Sequence, residues 1–173
     1  MANTFELIQS TKLTSNQATI TFSSIPQTYN DLLLRISANN NGTGRQSTRL
    51  TFNADTSPNT EGLALNGSGT TLSTTYNPNT GEVLIWPGTA STSGTQPGLC
   101  EIYIPRYTSS STFSPIMHNT MIEENGTSGN NYITFGSYVW QKSAAKTSFT
   151  LTLFSGFVYL ADSSFYLYGI KNT

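Results

Sequence analysis

The sequence predicts an all-β protein: a single-domain antiparallel β-sandwich over residues 1–173, jelly-roll-like, with nine to ten strands. Three observations carry this. Apolar residues recur with period two, and no run of ten residues keeps a helical period. Thr, Ser and Asn number 28, 22 and 16, so 66 of the 173 residues are small and polar. Branched Thr is stiff at χ1 and suits a pleated surface, while Asn, Ser and Gly make turns. Turn clusters divide the chain at the spacing of a sandwich or barrel. Two sheets packed face to face bury every alternating face, and a jelly roll protects the edges that an antiparallel chain leaves open.

The first strand is FELIQSTKL, 5–13, and the second is QATITF, with Ile20 and Phe22 on one face. Ile25-Pro26 then turns the chain, because proline presets φ and holds the preceding residue extended. Three adjacent leucines follow. In DLLLRISA, Leu32, Leu34 and Ile36 share one face, while Leu33 lies opposite and needs a second apolar environment. Tyr29 is expected to pack back under this corner. STRLTFNA gives a fourth strand with Leu50 and Phe52 on one side. Ser57-Pro58 opens at most a single helical turn. Residues 66–81 read as a loop with one strand around Leu72–Tyr76, EVLIWPG as a short strand, and 89–98 as a second loop. LCEIYIPRY, TFSPIMHNTMI, NYITFGSYVW, SFTLTLFSG and SSFYLYGIK complete the set.

Charged residues make up 10% of the chain, eight Lys+Arg against nine Asp+Glu. The balance offers no basic face for nucleic acid and no polybasic cluster for a membrane. So little charge suits a chain packed into an assembly. No segment reaches the roughly 20 apolar residues of a membrane span, and no secretory signal is legible. The expectation is a soluble protein made in the cytosol. Cys100 is the only cysteine, which leaves no intramolecular disulfide and no multi-thiolate metal site. The Asn-Gly pairs at Asn41, Asn66 and Asn125 match a glycosylation pattern but are read as turns.

Candidates for chemistry are few. His118, with Ile116 and Thr120 on its face and Met117, Asn119 and Met121 opposite, has no carboxylate or nucleophile nearby in sequence. Cys100 has no Lys or Arg within five residues to depress its pKa and reads as a small buried hydrophobe. Glu123-Glu124 at a turn lack the spacing of a Ca²⁺ loop. GSGTT carries no Walker lysine. No cofactor, metal or catalytic residue is expected. Aromatic residues, at 12%, are the remaining signal. Leu33, Tyr103, Tyr107, Tyr166 and Tyr168 are the candidate interface residues, because tyrosine anchors contacts and both faces of the last strand are substantial.

Four segments, ITFSSIPQTYNDLLLRISA (20–38), LTFNADTSPN (50–59), EIYIPRYTSSS (101–111) and FYLYGIKNT (165–173), are similar to those of small virion proteins of tailed bacteriophages. Residues 60–98 match less well. The resemblance implies a β-sandwich without enzymatic activity that decorates or cements a capsid, or attaches to a tail. It further implies assembly in the host cytoplasm, placement on the virion, the major capsid protein or another virion protein as partner, and a homo-oligomer, favouring a trimer. The alternative is a tail or fibre module binding host surface carbohydrate, with Trp86, Tyr76 and Tyr107 as stacking platforms. A hydrolase using Cys100 or paired acids is a third reading.

Overall fold

The computed structural model describes residues 4–42, 46–80, 83–85, 88–90, 97–122 and 132–171. Among them are thirteen strands: β1 (Phe5–Lys12), β2 (Thr19–Phe22), β3 (Asp31–Asn40), β4 (Thr48–Phe52), β5 (Thr60–Ser68), β6 (Thr71–Thr80), β7 (Val83–Ile85), β8 (Gly88–Ala90), β9 (Gly98–Pro105), β10 (Ser114–Ile122), β11 (Tyr132–Trp140), β12 (Phe149–Leu153) and β13 (Ser164–Ile170). No helix among the described residues is long and apolar enough to cross a membrane.

The strands form a nine-stranded sheet, ordered β1-β13-β3-β9-β10-β11-β5-β6 with β8 alongside β3, and a four-stranded sheet, β2-β12-β4-β7. The pairing has one logic. The first strand pairs with the last, the second with the twelfth, β3 with β9 and β4 with β7, all antiparallel. A long hairpin wound into two sheets this way is a jelly roll. The expected β-sandwich and its topology are therefore what the chain adopts.

The strand count is higher than expected, and the reason is local. Residues 66–81 lie mostly within a hairpin, β5–β6, that turns at Gly69, whose φ of 55° suits glycine. Its Thr- and Ser-rich second strand shows no apolar alternation, so it reads as loop. The 89–98 segment holds part of β8, which pairs with β3 in parallel and breaks the expectation of a wholly antiparallel fold. Ser57 caps no helical turn; instead Asp55 Oδ1 accepts its backbone N–H at 3.1 Å.

One buried cluster joins the sheets. Leu32, Leu34 and Ile36 of β3 and Ile102 of β9 meet Ile20, Phe22, Leu50, Phe52, Phe149 and Leu151 of the smaller sheet. Trp140 crosses the gap to Phe52, ring centroids 5.5 Å apart. The corner after β2 is fixed as the sequence suggests: Ile25 is buried and its N–H bonds to Thr147 O at 3.0 Å. Tyr29 packs on Gly169, where a Cβ would come within 2.3 Å of its ring.

Candidate functional site

Alternation decides which residues share a face, and in this fold β10, β11 and β5 present the face opposite to what solubility favours. Their inward residues include Ala64, Asn66, His118, Thr120 and Thr134, with Thr134 only 1% exposed. These polar groups partly satisfy one another: Asn66 Nδ2 donates to Thr75 Oγ1 at 3.0 Å, and the Thr134 hydroxyl donates to Asn66 Oδ1 at 3.2 Å. Asn66 is thus a buried strand residue and not the expected Asn-Gly turn. Asn41 lies in a bend after β3, its Oδ1 accepting the Val158 N–H at 2.8 Å; Asn125 and Glu123-Glu124 lie outside the described residues.

Outward, the same strands carry large apolar side chains. Met121 is 60% exposed, Phe135 57% and Leu99 53%, with Met117, Leu63, Leu65 and Ile133 similarly open. The register aligns them in three rows across the sheet. Leu63, Ser137, Met117, Tyr103, Leu33 and Tyr168 stand opposite one another in succession. Leu65, Phe135, Asn119, Glu101, Arg35 and Tyr166 form the second row. Gly67, Ile133, Met121, Leu99 and Ser37 form the third. Isolated exposed apolar residues are ordinary, but a contiguous sheet face of them marks a contact surface.

The face is not flat. A hollow of about 490 Å³ lies over Leu99, Met121, Ile133, Phe135 and Tyr166, and a second of about 430 Å³ over Leu63, Leu65, Met117 and Tyr103. Phe135, Asn119 and Glu101 border both and separate them.

Four of the five predicted interface residues sit here. Leu33, Tyr103 and Tyr168 share the first row and Tyr166 stands in the second, which answers why Leu33 follows Leu32. Its second apolar environment is the pair of flanking tyrosines. The Tyr103 hydroxyl donates to Asp31 Oδ2 at 2.8 Å, and burial with that bond pushes its pKa up to about 12. Tyr107 does not belong. It is fully buried, its hydroxyl donates to the Pro26 carbonyl, and it has no surface for a partner or a sugar. Of the other proposed stacking platforms, Trp86 lies outside the described residues. Tyr76 is exposed on strand β6, its hydroxyl donating to Glu61 Oε1 at 2.7 Å. What the sequence did not single out is the aliphatic majority of the face. The alternation Met117, Asn119, Met121 was legible, but not its sidedness.

Cys100 and His118 are both buried on inward positions, opposite Thr120 and Ile102 respectively. Burial pushes the Cys100 thiol up to about 12 and the His118 imidazole down to about 4, so both are neutral at pH 7. Neither ring nitrogen of His118 has a hydrogen-bond partner, so there is no Cys–His bond to make a thiolate. Among the described residues no three His, Cys, Asp or Glu side chains group to hold a metal ion.

The imidazole's neutrality predicts a pH dependence. The unfolded chain takes up a proton near pH 6.5, the folded one near 4, so stability is present above pH 6.5 and falls as pH drops through that window. The loss reaches about 3 kcal/mol. His118→Leu should flatten urea-measured stability between pH 6.5 and 4; an unchanged slope would refute the assignment.

No family model matches the chain, and no curated protein matches it.

Proposed function

We propose that this chain is a non-enzymatic structural protein of a tailed-phage virion, a decoration or cement protein of the capsid. In this reading it strengthens the head by docking the outward face of its large sheet on the shell and on its own copies. The observation that carries the docking is the inverted polarity of β5, β10 and β11, polar side chains inward and Met, Leu, Ile and Phe outward. A strand serving only its own monomer would place these the other way round. The similarity of residues 20–38, 50–59, 101–111 and 165–173 to virion proteins supplies the particle, and the low charge is in keeping with a packed assembly.

The face speaks for protein and not for sugar. Its exposed members are mainly aliphatic and thioether side chains with few hydrogen-bond donors, whereas a glycan site needs convergent polar groups beside stacking rings. Particles lacking the protein are expected to lose DNA at a lower temperature and under milder osmotic shock than complete ones. Adding back purified protein restores them, and adding back Phe135→Asp does not. Equal stability with and without the protein would end the cement role.

A further inference from the structure

We propose that the outward face of the large sheet is a homotypic interface, on which two copies of the chain pack face to face about a two-fold axis. This rests on the docking reading above and names the partner. The first support is charge. Across the three rows on β3, β9, β10, β11 and β5, Arg35 and Glu101 are the only charged residues. They stand opposite each other on adjacent strands, Arg35 Nε donating to Glu101 Oε1 at 2.7 Å. A two-fold axis in the interface plane, parallel to the strands and between β3 and β9, lays Arg35 of one copy over Glu101 of the other. Four charges then alternate in sign around the axis and none is buried unpaired, a match that symmetry supplies without a second protein.

The second support is area. Eight strands about 4.8 Å apart and three rows about 7 Å apart span roughly 800 Å². A stable interface buries about that much per partner. The third is shape. The two hollows flank the Phe135 ridge, and the unbranched Met117 and Met121 on the same face are side chains suited to filling such irregular space. An isologous contact of this kind gives a dimer in place of the trimer that the resemblance implies.

Sedimentation equilibrium of the purified chain tests it with two single variants, Arg35→Glu and Glu101→Arg. Both positions are solvent-exposed in the monomer and their pair contributes little to its stability, so the fold is retained, as circular dichroism would verify. The wild type is expected to be a dimer, and each variant alone to dimerise at least about 10-fold more weakly. Mixed in equal amounts, the two variants should form a heterodimer, since one carries two acidic and the other two basic side chains at the axis. A wild type that is monomeric at about 100 µM, or trimeric, or two variants that self-associate as the wild type does, would overturn the interface. The docking reading is judged separately on particles. If Phe135→Asp fails to stabilise them while the wild type sediments as a monomer, the face docks on the shell and the homotypic contact is wrong. If Phe135→Asp stabilises them fully, the docking reading is wrong whatever the sedimentation shows.

Discussion

Gly62→Ala is expected to destabilise the protein by about 3 kcal/mol and lower Tm by roughly 10 °C. The register sets Gly62 directly opposite Tyr138, and a Cβ there would lie 2.2 Å from the Tyr138 ring. That ring cannot retreat. It is fully buried, its hydroxyl accepts a hydrogen bond from Asn77 Nδ2 at 2.7 Å, and His118 lies beside it with centroids 5.8 Å apart. The neighbouring row repeats the device, with a Cβ on Gly136 meeting His118 Nε2 at 2.2 Å. Gly67 on the same strand is the control, because a Cβ there meets nothing nearer than 3.7 Å. Gly67→Ala should therefore be nearly neutral, and Tyr138→Leu should absorb much of the Gly62→Ala cost in a double-mutant cycle. Equal effects at Gly62 and Gly67 would show that backbone freedom, not the ring, is what these glycines supply.

Lys146→Met is expected to stabilise the protein at pH 7 by about 2 kcal/mol. Lys146 is fully buried, its ammonium donating to Ser114 Oγ and lying 4.7 Å from the Trp140 ring centroid and 5.7 Å from that of Phe52. No salt bridge is recorded for it among the described residues. Burial pushes its pKa down from 10.5 to about 8. The unfolded chain therefore holds a proton between pH 8 and 10.5 that the folded chain has released, and wild-type stability rises with pH across that window. Methionine matches the length of the stem, keeps the ring contacts and removes the charge. Urea denaturation at pH 7 and pH 10 reads the effect: the variant's advantage should be large at the first and small at the second. A variant less stable than wild type at pH 7 would mean that the ring contacts and the Ser114 bond outweigh desolvation.

Much of the fold was legible because strong alternation is a local signal. In β3, β9, β10 and β13 the residues expected to share a face do so, and the corner at Ile25-Pro26 was readable from proline's fixed φ. Sidedness was not legible. Met117 and His118 alternate identically whichever points inward, and the outcome depends on where the smaller sheet ends, which is set by strands far away in sequence. Thr-rich β6 was missed because it sits at the edge of the sheet and has little apolar pattern to show. Tyr107 and Lys146 were out of reach for a different reason. Both lie outside regular strands, where no periodicity assigns a side, and loop packing alone buries them; Lys146 is held there by its N–H to Tyr107 O at 2.9 Å and its carbonyl to Gln27 Nε2 at 3.1 Å. Four of the five interface residues were found from aromatic type and strand parity. The aliphatic surface around them needed the register.

The pairing of β1 with β13 has a consequence for synthesis. Lys171 N–H bonds to Thr4 O at 3.0 Å, and β13 sits between β1 and β3 as the only described strand joining them. While the ribosome is still making the last ten residues, the first strand has no neighbour, and the sheet is split at its third strand. Native closure waits for translation to pass Ile170, leaving the nascent chain's Leu- and Met-rich strands uncovered until then, the interval in which a host chaperone has something to hold.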